Sequence, residues 1–433
     1  MNVRNDARPN MVRGGVPWRC DRPSTGLWAA LVFLVALNLR PSITAVGPLL
    51  EQIGTDLSWG ESVQGVLTSI PLIAFAAVSP LVTFIERRIG IDWSVLLALI
   101  CIAFGDFVRS YCGNVGIWLG TVIFASSIAV GNVLVPVIAK RDYASHVAMA
   151  TGVYSGCITA GSATAGLVAV PLAQMLGDWR ESLFFWSIPS LMVAALWLLR
   201  IVHNRNVMRS TQAVRKPERI GDVSEPADPR TSSNGMFLRV LSRPMTWYVT
   251  LFMGLQSSAF YTMSNWMPRV STSAGFDTSV AGVHLFIFQG IGIFAGLLIP
   301  KLMNVHGSQV CAALTSSIPM LIAGFGMLLF PKAMIVWSII GGCAQGSALV
   351  VALALIAMRG RNGAETVVLS GIAQSLGYLI AAMGPLTFGV IVQLTGGCQA
   401  SLALFTFIAF LQCVVAVLAG RPSEDSASRS IRS

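Results

Sequence analysis

The chain has 433 residues, 54% of them hydrophobic and 11% charged, with a formal net charge of +10. A soluble domain carries about a quarter charged residues, so this composition excludes an ordinary globular enzyme. With a mean hydropathy of +0.70, the chain holds enough apolar sequence for about a dozen membrane spans of ~20 residues each. Five arginines (Arg4, Arg8, Arg13, Arg19 and Arg22) precede the first apolar run. That run, 27–52, is too long for a signal-peptide core and lacks a convincing cleavage site. It reads as a first span entered from the cytoplasm.

Apolar runs between polar breaks predict further spans over 62–85, 92–111, 116–139, 147–175 and 181–201, and then over 245–268, 279–302, 309–330, 333–358, 364–394 and 398–420. The expected fold is all-α and integral to the membrane, with twelve transmembrane helices in two pseudo-symmetric six-helix domains. Residues 1–26 form a cytoplasmic arm, 27–201 the first domain, 202–244 a cytoplasmic linker, 245–420 the second domain and 421–433 a cytoplasmic tail. The linker contains Pro217, Pro226 and Pro229 and reads as a flexible polar tether. Both termini then lie inside, and 24 of the 29 Lys and Arg residues fall on the cytoplasmic side. Only Arg109, Arg180, Arg269 and Lys332 fall outside, and Arg40 is left within the first span. That asymmetry predicts a multi-pass protein of the cytoplasmic membrane and accounts for the positive charge without nucleic acid.

The two halves carry marks in register. Gly131 and Gly346 are 215 residues apart, as are Ser155-Gly156 and Ser370-Gly371, and Pro171 and Pro385 follow 15 and 14 residues after those glycines. A duplicated six-helix unit places a cavity between its halves near the bilayer midplane. Arg40 is the first candidate to line it. A charge at that depth costs ~2.5–3.5 kcal/mol on insertion scales and generally faces a water-filled path. Glu51, the nearest carboxylate on the span, is ~16 Å further along a straight helix. Pro41 removes a backbone donor beside Arg40, and a guanidinium at a loosened helix suits an anion; a structural pair with Asp106 is the alternative.

Polar side chains awkward to expose to lipid supply the other candidates for substrate binding: Asn132, Tyr154, Gln256, Tyr261, Trp266, Gln345, Gln374 and Tyr378, with Asn265, His284 and Gln289 behind them. As a set they suit a small polar or aromatic ligand; singly, each also fits interhelical hydrogen bonding. Asp106 is a candidate for carrying a coupling proton, although Arg109 stands at i+3 where the two can pair locally. Arg87, Arg88, Gly90 and Asp142 are candidate gating residues, Asp142 pairing with either arginine as a latch between short loops. Most of the eight cysteines sit in apolar runs without CxxC spacing, and no phosphate-binding loop, paired metal ligands or nucleophile elbow occurs. The expectation is no enzyme activity, no cofactor and no metal, with a small-molecule substrate and the bilayer as partners of a monomer.

The segments Asn38-Leu39-Arg40-Pro41-Ser42-Ile43-Thr44, Gly131-Asn132-Val133-Leu134-Val135-Pro136, Gln256-Ser257 with Phe260-Tyr261, Trp266-Met267-Pro268 and Gln374-Ser375-Leu376-Gly377-Tyr378 resemble the major facilitator superfamily, and within it the cyanate/2-nitroimidazole transporters. The likeness spans about 27–420. It implies alternating access, with the first and fourth spans of each half lining the path, which places Arg40, Asn132, Gln256, Tyr261 and Gln345 on path-lining helices. Arg87, Arg88 and Gly90 match a loose form of that superfamily's cytoplasmic gating loop; Glu86 stands where an Asp is usual. The leading expectation is a secondary transporter of a small organic or inorganic anion, held by Arg40. An exporter of nitroaromatic or drug-like compounds and a non-transporting membrane sensor are the alternatives.

Overall fold

A computed structural model describes residues 26–143, 146–212, 233–303, 308–361 and 363–421. The basic N-terminal arm, the middle of the linker and all of the tail after Arg421 lie outside the described residues. In chain order the helices are α1 (Leu27–Asn38), α2 (Pro41–Thr44), α3 (Val46–Leu57), α4 (Glu61–Val78), α5 (Val82–Ile89), α6 (Ile91–Tyr111), α7 (Gly113–Asp142), α8 (Val147–Leu176), α9 (Trp179–Phe185), α10 (Ser187–Gln212), α11 (Ser233–Leu241), α12 (Pro244–Ser273), α13 (Thr278–Leu298), α14 (Val310–Leu329), α15 (Met334–Arg359), α16 (Gly363–Thr395) and α17 (Cys398–Gly420).

Among the described residues, eleven helical stretches are long and apolar enough to cross a membrane. The first is Leu27–Leu57, which joins α1, α2 and α3. The 30-residue α12 is absent from the eleven because its sequence is too polar, yet it fits as the twelfth. Gln256, Ser257, Ser258, Thr262, Ser264 and Asn265 are all buried on it. It is enclosed by α3, α13, α15, α16 and α17, so its polar groups never meet lipid. Pro71, Pro136, Pro171, Pro268, Pro319 and Pro385 lie inside helices that continue past them, as packed membrane helices permit.

Connections are shorter than the sequence suggested. Gly90, with φ 86, is the single residue between α5 and α6, a left-handed step that an L side chain takes only with strain. The predicted flexible linker is corrected at both ends. Helix α10 continues to Gln212, where His203 stacks on Trp28 with centroids 5.0 Å apart. Helix α11 occupies Ser233–Leu241, held by Arg239, which pairs with Glu365 at 2.8 Å.

Within the first half α6 packs on α7 and α10, and α1 on α7 and α8; within the second, α13 packs on α15, and α14 on α15 and α17. Among the described residues the halves meet chiefly along α4 with α16, α8 with α13, and α3 with α12. Contact is tightest at the end of the molecule that carries Glu51. A Cβ on Gly166 of α8 would stand 2.8 Å from Leu285 of α13; further along, Gly156 and Gly152 have 3.8 and 3.6 Å of clearance to Ile293 and Leu297. On the other face a Cβ on Gly65 would lie 3.0 Å from the Pro385 carbonyl, whereas Gly371, near the opposite end of α16, has open space around it. The halves therefore splay from the Glu51 end toward the end that carries Asp92.

Candidate functional site

The first span breaks where the Arg-Pro step stands. Asn38 ends α1 and Pro41 begins α2, and Arg40 between them has φ −124 and ψ −26, outside helical values. Pro41 cannot donate to the Leu37 carbonyl four residues earlier. Helix α8 covers that carbonyl with a glycine: a Cβ on Gly161 would overlap Leu37 O. The approach leaves room only for a Cα–H, a weak donor. Gly161→Ala is expected to destabilise the protein by about 1–3 kcal/mol through overpacking against backbone. Gly152→Ala, whose Cβ would meet only Leu297 at ordinary contact distance, should be nearly neutral. Thermal unfolding in detergent separates the two, and equal melting temperatures would disprove the steric account.

The broken segment is tied on several sides. Thr44 Oγ1 shares a 2.6 Å hydrogen bond with Ser162 Oγ of α8. The Ser42 hydroxyl donates to Asp106 Oδ2 at 2.7 Å, and Arg109 Nη1 donates to the Ser42 carbonyl at 2.7 Å. Arg109 Nη2 in turn pairs with Asp106 Oδ1 at 2.8 Å. The Arg40 side chain, near the middle of the 31-residue span, takes no part in these ties. It is 9% exposed, and its Nε is buried without a hydrogen-bond partner. Among the described residues Arg40 makes no ion pair. Its guanidinium carbon lies 5.4 Å from the Phe260 ring centroid and 5.2 Å from that of Tyr261, across the interface on α12. A cation over aromatic faces gains ~1–2 kcal/mol when desolvated but spends none of its N–H donors, so the fork remains open to an acceptor.

The structure gathers some of the sequence candidates around Arg40 and not others. Tyr261 and Tyr378 both lie within electrostatic range of its charge. The Tyr261 hydroxyl is buried and unpartnered, and Tyr378 meets Phe75 edge-on at 5.4 Å. Tyr154 packs half-buried on the same core cluster as Tyr261, Tyr378 and Phe260. Asn132 is half-buried on α7. Gln374 donates to Ser370 one turn away at 2.7 Å, and Gln256 donates to Ser257 at 2.7 Å, so both amides are engaged on their own helices. Trp266 is a correction: it is fully enclosed, its indole donates to the Pro385 carbonyl at 3.2 Å and its ring lies on Phe388, so no face is left for a ligand. The Gln345 amide lies against Gly292 of α13, and its buried Nε2 has no hydrogen-bond partner. Gln289 nearby leaves both amide atoms unpartnered, while His284 shares a 3.1 Å hydrogen bond with Ser271. Phe260 is not among the expected ligand residues; its place beside Tyr261 in the sequence is the signal that could have found it.

At the Asp92 end, four charges are buried together. Arg141 holds Asp92 with two hydrogen bonds of 2.9 and 3.1 Å and Asp142 with one of 2.8 Å. Arg200 reaches Asp142, donates to the Trp28 carbonyl at 2.8 Å and lies 4.2 Å over Trp197. Of the two arginines expected to latch onto Asp142, Arg88 instead sits over Phe84 at 4.7 Å. The Arg87 side chain lies outside the described residues.

At the opposite end, Arg269 of α12 pairs with Glu51 of α3 at 2.9 Å and with Glu61 of α4 at 3.7 Å. Gln393 of α16 accepts from the Ser62 N–H at 2.9 Å, and deeper along the same helix pair the Ser69 hydroxyl donates to the Ala382 carbonyl at 2.8 Å. These links join the two halves. A cavity of about 220 Å³ lies among them, lined by Glu51, Trp59, Glu61, Gln64 and Arg269. The sequence reading had used Arg269 only as a charge outside the membrane, because its partners are remote in the chain.

Comparison with known proteins agrees with this architecture. The chain is 32% identical over 367 residues to the uncharacterized transporter YycB of Bacillus subtilis, covering 84% of this chain and 86% of that one. It is 30% identical over 394 residues to the 2-nitroimidazole transporter of Escherichia coli (91% and 95%), and 22% identical over 368 residues to the cyanate transport protein CynX of the same organism (84% and 90%). In fold it matches a bacterial homologue of the human lysosomal transporter Spinster, solved inward-facing and unoccupied, with a TM-score of 0.68 at 15% identity over 93% of this chain and all of that one. Residues 32–385 match the Major Facilitator Superfamily. With that match over most of its length and two transporter relatives at 30–32% identity, the chain belongs to the major facilitator superfamily.

Proposed function

We propose that this protein is a secondary transporter of a small organic or inorganic anion and that Arg40 binds the anion. The observation that carries this reading is a deeply buried guanidinium with no carboxylate partner among the described residues, resting on two aromatic faces of the opposite half. An unpaired charge inside a membrane is costly, and a solute anion offsets that cost only while bound. Binding by Arg40 from the first half and by Tyr261 and Phe260 from the second makes affinity depend on how the halves stand, as alternating access requires. The excess of Lys and Arg in the loops at the Asp92 end supports a cytoplasmic position for that end and for both termini. The splayed form then opens inward, with the Arg269–Glu51–Glu61 contacts closing the outside.

The aromatic surround favours a second reading, a neutral or weakly acidic nitroaromatic solute stacked on Tyr261 and Phe260, and the name of the 2-nitroimidazole relative accords with it. Thermal unfolding of the purified protein with cyanate, nitrate, benzoate and 2-nitroimidazole decides between them, since a ligand of the folded state raises its melting temperature. The anion reading expects a shift from at least one monoanion and none from it with Arg40→Gln. A shift from the nitroimidazole alone, retained in Arg40→Gln, moves the assignment to the second reading.

A further inference from the structure

We propose that Asp106 and Arg109 are positioning residues for Arg40, acting through Ser42. The inference rests on the reading of Arg40 as the anion-binding group. The carboxylate and guanidinium are 0% and 1% exposed, so neither meets a solute. A buried ion pair is weak evidence for stability, because apolar residues of similar volume often serve as well or better. What this pair does that apolar side chains cannot is grip Ser42 at both of its polar groups, the hydroxyl and the carbonyl. Asp106, Arg109 and Ser42 thus close a three-membered ring of contacts, each 2.7–2.8 Å long, and Phe124 of α7 backs the Arg109 guanidinium at 4.6 Å.

The grip falls where the chain has most freedom. Arg40 lies outside helical geometry, and α2 is a single turn, Pro41–Thr44. Rotation about the Arg40 backbone would swing the guanidinium away from Phe260 and Tyr261 while leaving α1 intact. Thr44 is tied to α8 at 2.6 Å, which fixes the far end of the turn; Ser42, two residues from Arg40, is tied to α6. Two anchors on different helices define the rotation of α2 and therefore the direction of the side chain that precedes it. Binding groups need placement within about 0.5 Å and 10–20° to act, and a single hydrogen-bonded anchor leaves rotation free.

The test uses the full chain in proteoliposomes, with the monoanion that shifts the melting temperature as substrate. Ser42→Ala keeps the Asp106–Arg109 pair and removes only the hydroxyl; it is expected to raise KM about 10-fold with little change in kcat. Ser42→Thr, which keeps the hydroxyl, restores the wild-type value. A second readout does not depend on transport. In a cysteine-free background, Arg40→Cys is modified with a charged methanethiosulfonate, which forms a mixed disulfide with the thiol and releases methanesulfinate, and adding Ser42→Ala or Asp106→Asn should change the modification rate at least 5-fold. The rate at a control Asn132→Cys should stay constant. An unchanged rate at position 40 in the folded variants, or an unchanged KM, overturns the proposal. A changed rate together with transport indifferent to Arg40→Ala would instead retain the ring as a backbone anchor and refute Arg40 as the binding group.

Discussion

Arg40→Ala should lower kcat/KM for uptake into proteoliposomes by about 10²- to 10³-fold, the ~3–4 kcal/mol expected for truncating one member of a desolvated charge pair. Arg40→Lys keeps the charge but loses the planar fork and should fall between. Stability should move the other way. The guanidinium is buried with an unpartnered Nε, so Arg40→Leu removes an uncompensated charge and should raise the melting temperature as it abolishes uptake. Such opposition is characteristic of residues kept for function rather than for folding. It also separates a functional loss from misfolding, which would lower both. Uptake by Arg40→Ala within twofold of wild type, in protein that melts normally, is the result that excludes Arg40 from the site.

The second large effect lies at the other buried arginine cluster and concerns stability. Arg200 is fully buried and holds Asp142 and the Trp28 carbonyl while stacking on Trp197. Arg200→Ala leaves the carboxylates of Asp92 and Asp142 with less positive charge beside them in a low-dielectric setting. Breaking a buried pair from one side costs about 3–5 kcal/mol, so the melting temperature of a chain this long should fall by about 3–6 °C. Arg200→Lys should recover only part of this, because one ammonium cannot bridge a carboxylate and a carbonyl while lying flat on an indole. Transport per folded molecule should survive, since the cluster joins α1, α6, α7 and α10 within the first half and makes no contact with Arg40. A variant that melts like wild type would show that the four charges only set topology.

The two clusters illustrate what was legible before any coordinates. Arg40 stood out because insertion energetics makes a lone mid-span charge conspicuous, and Pro41 marked where the helix breaks. The local pairing of Asp106 with Arg109 followed from i,i+3 spacing. The spans themselves came from apolar runs, which need no tertiary knowledge because lipid imposes the requirement residue by residue. The run 245–268, which becomes α12, was read in the same way, although it is too polar for a stricter hydropathy criterion. Trp266 misled because a large amphipathic ring in a polar span fits a binding site and a packed interior equally well. Its indole turned out to serve the Pro385 carbonyl across α16, a partner more than a hundred residues away.

What the sequence determined alone is the set of properties fixed by each segment's own transfer into lipid: the membrane class, the order of the spans, the bias of the loop charges and the cost of a charge at position 40. What only the tertiary structure decided is which polar groups are spent on one another. Ser42 bonds α6, Gly161 covers a carbonyl of α1, Arg269 closes on Glu51 and Glu61, and Arg40 is left mid-span facing aromatic rings without an ion pair among the described residues. The physical reason is that partition into a bilayer is a sum over local terms, whereas satisfaction of a buried donor depends on groups brought to within about 3 Å by helices far apart in the chain.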